Sequence, residues 1–108
     1  MRITASLFSA ALLATLLASG GPVRAAQPSQ VVIKDFMFVP TTLTVKAGTT
    51  VTWANKDEEP HTVFSDTGLF RSNAMDTGEA FSFKFDKPGT YHFLCTIHPR
   101  MVGTIVVE

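Results

Sequence analysis

From Val31 onward the chain reads in twos. Val31 and Ile33 alternate with polar neighbours, and Phe36 and Phe38 continue in the opposite phase, so one strand with a bulge near Lys34 and Asp35 is predicted. Pro40 ends it. Leu43 and Val45 predict a second strand, turned by Ala47-Gly48-Thr49. Val51 and Trp53 predict a third, with Thr50, Thr52 and Ala54 on its other face. A polar loop over residues 55–60 leads to a short strand at residues 62–64, and a loop rich in small residues runs from Ser65 to Gly78. Phe81, Phe83 and Phe85 alternate with Ser82 and Lys84 and read as one core face. Past the turn Asp86-Lys87-Pro88-Gly89, the residues Tyr91, Phe93 and Cys95 share a face, with His92 and Leu94 on the other. Ile105 and Val107 close the chain. Short runs of this kind, spaced by roughly 8–12 residues with no helical period, predict an all-β sandwich or barrel.

The first 25 residues follow a different rule. Arg2 starts them, residues 3–17 are mostly apolar, Ser19-Gly20-Gly21-Pro22 breaks the run, and Val23-Arg24-Ala25 reads as a cleavage site. This is the pattern of a secretory signal peptide over residues 1–25, cut after Ala25, with one domain over 26–108. The apolar run is shorter than the ~20 residues of a bilayer span. No second such run follows, so the processed chain is expected to be soluble.

A domain this small buries a marginal core and often carries a staple. Cys95 is the only cysteine, which excludes a disulfide within one chain and leaves a metal as the usual substitute. Without Arg2 and Arg24, seven basic residues face nine acidic ones. That balance gives no basic footprint for nucleic acid and no polybasic patch for a membrane. Asp57-Glu58-Glu59 reads as a solvated loop, with an acidic rim that steers a basic partner as its competing reading.

Candidate chemistry sits in "CTIHPRM", from Cys95 to Met101. A thiolate, an imidazole and a thioether meet in one loop after a strand end. With one more imidazole they would make a trigonal two-histidine, one-cysteine copper site with a long axial methionine. His92 alternates away from Phe93 and Cys95 and faces solvent. His61, after Pro60, starts a run that can lie beside the Cys95 strand, and it is the better candidate. Pro99 fixes its own φ and pushes His98 toward extended backbone, which stiffens the loop. Met37 and Met75 read as core.

At these residues the chain resembles the cupredoxins, the small blue-copper proteins, in their amicyanin and plastocyanin-like branch. "FMFVPTTLTVKAGTTVTWANKDEEPHT" is similar to that family's opening half, "GLFRSNAMDTGEAFSFKF" to its middle, and "PGTYHFLCTIHPRMVGTIVVE" to its last hairpin, with Tyr91 in the place of a recurrent tyrosine. The short spacing from His98 to Met101 resembles amicyanin. The resemblance implies a Greek-key β-sandwich of about seven to eight strands with little or no helix. It implies one type 1 copper held by His61, Cys95, His98 and weak axial Met101, and a backbone N–H of Thr62 aimed at the Cys95 sulfur. Two positions depart from it. Thr62 stands where Asn is frequent, with a hydroxyl able to bond Thr96, and Arg100 stands where these loops tend to be apolar.

The implied function is that of a soluble, monomeric periplasmic electron carrier, not an enzyme. Its partners would be redox proteins, a cytochrome c or a periplasmic dehydrogenase or oxidase, docking transiently near His98. Pro99 and Met37 are candidates for the docking patch. A periplasmic copper carrier or buffer is the alternative, which a closed single site disfavours. No paired carboxylates and no nucleophile elbow support an enzyme.

Overall fold

The computed structural model describes residues 29–108. The expected signal peptide, residues 1–25, lies outside the described residues. Eight strands follow in chain order: β1 (Ser29–Lys34), β2 (Met37–Val39), β3 (Thr42–Val45), β4 (Thr49–Asn55), β5 (Phe64–Ser65), β6 (Ala80–Phe85), β7 (Gly89–Leu94) and β8 (Val102–Val107). They form two four-stranded sheets, ordered β2-β1-β4-β6 and β3-β8-β7-β5. Two neighbour pairs, β1 with β4 and β3 with β8, run parallel, and the others are antiparallel. From β2 onward each strand but the last crosses to the opposite sheet, as a Greek-key sandwich requires, and no helix occurs among the described residues.

The inward positions of both sheets make one core. Ile33, Phe38, Val51, Trp53 and Phe85 meet Val45, Phe93, Ile105 and Val107. Trp53 is fully buried, with the rings of Phe70, Phe81, Phe85 and Phe93 around it at centroid distances of 5.3–6.3 Å. Its indole Nε1 is buried without a hydrogen-bond partner. Side chains of this size each contribute ~1.5–3 kcal/mol by leaving water. Phe85 is buried, whereas Phe81 and Phe83 are partly buried, because β6 is the last strand of its sheet. Gly103 lies opposite Phe93 in the β7–β8 pairing, and a Cβ there would come within 2.4 Å of the Phe93 ring. The Tyr91 hydroxyl donates to the Lys87 carbonyl at 2.7 Å and closes the β6–β7 turn.

Three local expectations are corrected. The phase slip at Lys34 and Asp35 is a hairpin turn, not a bulge. Lys34 pairs with Met37, and the two residues between them both have positive φ, 53° at Asp35 and 59° at Phe36. That is the two-residue turn whose twist suits antiparallel strands. A bulge and such a turn shift the hydrophobic phase alike, so alternation cannot separate them. Met37 is not core but 55% exposed, because Phe38 takes the inward place in β2. Met75 is buried as expected. The strand after His61 covers Phe64 and Ser65 rather than residues 62–64, and His61 instead makes an isolated bridge with Met75.

Candidate metal centre

The end of β7 and the segment before β5 meet at one end of the sandwich. Cys95 follows the last residue of β7 and is fully buried. Its N–H donates to the Met101 carbonyl at 3.1 Å, and the Met101 N–H donates to the His98 carbonyl at 2.8 Å, so the loop between β7 and β8 is closed by its own backbone. His61 is clamped from the other side. Its N–H donates to the Met75 carbonyl at 3.1 Å and its carbonyl accepts from the Met75 N–H at 2.8 Å. The pairing of β5 with β7 then carries the His61 segment alongside the Cys95 strand.

His61, Cys95 and His98 present one donor atom each within 4.8 Å of one another. The Cys95 Sγ lies 3.7 Å from His61 Nδ1 and 3.8 Å from His98 Nδ1. The fit to a metal can be checked. A metal–sulfur bond of ~2.3 Å and a metal–nitrogen bond of ~2.1 Å, opened by ~115°, separate sulfur and nitrogen by ~3.7 Å. The donor set and its spacing therefore suit one trigonal ion. Met101 is buried beside them, where it lines the same groove as His98. His92 stays apart, exposed on the outer face of β7 with Nδ1 3.1 Å from the Thr104 hydroxyl.

The sulfur is held as a thiolate by its surroundings. Burial pushes the Cys95 thiol up, but the Thr62 N–H at 3.4 Å and the two imidazoles outweigh it and bring its pKa from 9.0 to about 6. Thr62 ties the His61 segment to the loop that follows Cys95. Its hydroxyl accepts from the Thr96 N–H at 2.7 Å and lies 2.8 Å from the Thr96 hydroxyl. With Thr96 as donor in that second contact, the Thr62 proton is free for the Cys95 sulfur 3.8 Å away.

Two residues of the site were not expected there. Asp57 is buried, not solvated, and its Oδ2 lies 2.9 Å from His61 Nε2. Hydrogen bonds from His61, Phe36 and Glu58 hold its carboxyl at about 2, below the usual 3.8. Glu58 and Glu59 remain exposed. Fully buried Asn55 shapes this loop: its Nδ2 donates to the carbonyls of Glu59 and Met75, both at 2.9 Å, and its Oδ1 accepts from the Asp57 N–H. The offset of four residues between Asp57 and His61 was present in the sequence, but a polar run does not say which of its acids turns inward. Phe36 is the second. Its ring stands edge-on to both imidazoles, with centroids 5.5 Å from His61 and 5.0 Å from His98. Phe36, Ile97, His98, Pro99, Arg100 and Met101 line one open, mostly apolar groove.

Comparison with known proteins places the chain in a family. A profile of the cupredoxin-like domain family matches residues 6–107. The chain is 35% identical over 114 residues to amicyanin-alpha of Methylorubrum extorquens, covering 92% of each. It is 38% identical over 85 residues to plastocyanin of Scenedesmus fuscus, covering 67% of this chain and 87% of that one. Among solved structures, a reduced Cu(I) form of an amicyanin variant superposes with a TM-score of 0.72 at 35% identity, over 78% of this chain and 85% of that one.

Proposed function

The chain belongs to the cupredoxin-like domain family, and on that premise we propose that it is a soluble, monomeric electron carrier of the periplasm, with one type 1 copper bound by His61, Cys95, His98 and axial Met101. The observation that carries this reading is the triangle of Cys95 Sγ with the two Nδ1 atoms, at 3.7 and 3.8 Å. A bound copper would supply a one-electron Cu(I)/Cu(II) couple.

The chain's own residues do the rest. The Cys95 thiolate offers a soft donor at neutral pH, and the Thr62 N–H holds it in place. Buried His61 is fixed at both its backbone and its ring, so its nitrogen does not swing between redox states. Pro99 and the Met101–His98 backbone bond stiffen the other ligand loop. Such rigidity keeps rearrangement small when an electron moves. His98 is half-buried and lines the groove, so its ring is the short route from sulfur to the surface. Apolar residues around that edge suit small, dissociable contacts with redox proteins, below ~1,200 Å² in total. A copper carrier would need ligands that open, and three of these four groups are buried.

The test is an optical spectrum of copper-loaded protein. An intense thiolate-to-copper band in the visible is expected, and Cys95→Ser removes it. Met101→Leu keeps the band and moves the potential. A colourless copper-loaded sample overturns the assignment.

A further inference from the structure

The Asp57 carboxylate does two things with one oxygen. Oδ2 lies 2.9 Å from His61 Nε2 and accepts the Phe36 N–H at 3.0 Å, while Oδ1 accepts the Glu58 N–H at 3.1 Å. Its main chain is also engaged, with Asn55 Oδ1 on its N–H and the Thr77 hydroxyl on its carbonyl. An ionised carboxylate only accepts, so His61 must donate from Nε2, and the lone pair is left on Nδ1, the atom that faces Cys95.

The second bond reaches a residue in an unusual conformation. Phe36 is a bulky residue at φ 59°, where large side chains are seldom found. Its amide has its partner in Asp57, and its ring closes over both imidazoles from the groove side. His98 has no hydrogen-bond partner on Nε2 among the described residues, and the Phe36 ring stands edge-on to it with centroids 5.0 Å apart.

We propose that Asp57 is a positioning residue of the metal centre: one oxygen fixes His61 in the tautomer that offers Nδ1 to the ion, and the same oxygen pins the Phe36 turn over the His61–His98 pair. The ligand and the groove wall are therefore one mechanical unit, and a partner pressing on Phe36 acts on His61 through Asp57. This rests on the copper reading above.

The experiment measures zinc and Cu(I) affinity by chelator competition, with the His61 Nε2–H followed by nitrogen-15 NMR in the zinc-loaded protein. Asp57→Ala is expected to weaken binding ~10–100-fold, the usual loss when a ligand's outer hydrogen bond is removed, and to lose the Nε2–H signal to exchange. Phe36→Gly suits the positive φ and also weakens binding. The double variant should lose less than the product of the two single effects. Thr77→Val removes a bond to the same loop that does not reach His61, and is expected to leave affinity within about twofold. Should Asp57→Ala fail to fold, Asp57→Asn keeps an acceptor and should show a smaller loss with the Nε2–H retained. Unchanged affinity with a persistent Nε2–H in Asp57→Ala overturns the proposal, as does a Thr77→Val effect of equal size. Purely multiplicative effects of Asp57→Ala and Phe36→Gly overturn the link to the groove. Failure of the copper reading would be visible separately, as a colourless wild-type protein.

Discussion

Thr62 straddles Cys95: its N–H stands 3.4 Å from the sulfur and its hydroxyl accepts the Thr96 N–H at 2.7 Å. The bridge ties the His61 segment to the loop that follows Cys95 through a hydroxyl. Thr62→Val preserves shape and the N–H but deletes the hydroxyl. The Thr96 N–H is then left without its acceptor, at a cost of about 1 kcal/mol in apo-protein stability, measurable by urea unfolding. The sulfur also loses its second donor. A less hydrogen-bonded thiolate donates more charge to oxidised copper, so the reduction potential falls, and voltammetry of both proteins checks the direction.

The clustering of the loop from Cys95 to Met101 was the most legible feature of the candidate site. Cys95, His98 and Met101 lie within seven consecutive residues, and no long-range fact is needed to group them. His61 was legible by a weaker route, through the alternation that turned His92 outward, and the pairing of Phe64 with Leu94 is what brings it across. Phe36 and Asp57 were not legible. Each belongs to the site because of a turn or loop conformation, φ 59° in one and an Asn55-braced loop in the other, and neither leaves a periodic trace. The sandwich itself was readable from the inward positions of β4, β7 and β8, whereas the β1–β2 turn was not, since phase alone does not count the residues in a turn.

Cys95 makes the apo protein pH-sensitive. Its folded pKa of about 6 lies below the ordinary 9.0, so between these values the folded chain holds a thiolate and the unfolded chain a thiol. The unfolded state binds more protons, so stability rises with pH across that window and the gain is lost as pH falls through about 6. Thiolate absorbance of the apo protein in the ultraviolet should titrate with a midpoint near 6, and Cys95→Ser should flatten both curves. A midpoint near 9 would contradict the network around the sulfur. Below it, Asp57 adds a second loss, as pH drops from 3.8 toward about 2.

Gly103 is required by space rather than by backbone angle. A Cβ would sit 2.4 Å from one Phe93 ring atom and 2.7 Å from another, and Phe93 is itself wedged against Trp53 and Phe38. The ring cannot step aside without disturbing β7, which ends one residue before Cys95. Gly103→Ala should therefore destabilise the fold by ~1–3 kcal/mol or more, the range for overpacking a dense core. Thermal unfolding of the apo protein measures it. The metal band should also shift, because the displaced ring lies two residues from the sulfur.

Arg100 stands beside the half-buried His98 and should set which charges that edge accepts. It lines the groove with His98, Pro99 and Phe36, and it makes no ion pair among the described residues, where the pairs are His61–Asp57 and Lys84–Asp86. The chain beyond residue 25 carries two more acidic than basic groups, so its distant field repels anions while Arg100 attracts them locally. The two effects separate by salt, since charges farther apart than about 10 Å are largely screened at 0.1 M while nearer ones still interact. Oxidation of the reduced protein by the anionic hexacyanoferrate(III) should slow severalfold in Arg100→Gln and more in Arg100→Glu. A cationic cobalt(III) phenanthroline complex should react as fast or faster with both. Stopped-flow rates across ionic strength give the sign of the local charge product directly. If the two oxidants respond alike to Arg100→Glu, electrons do not leave by the His98 edge that this groove surrounds.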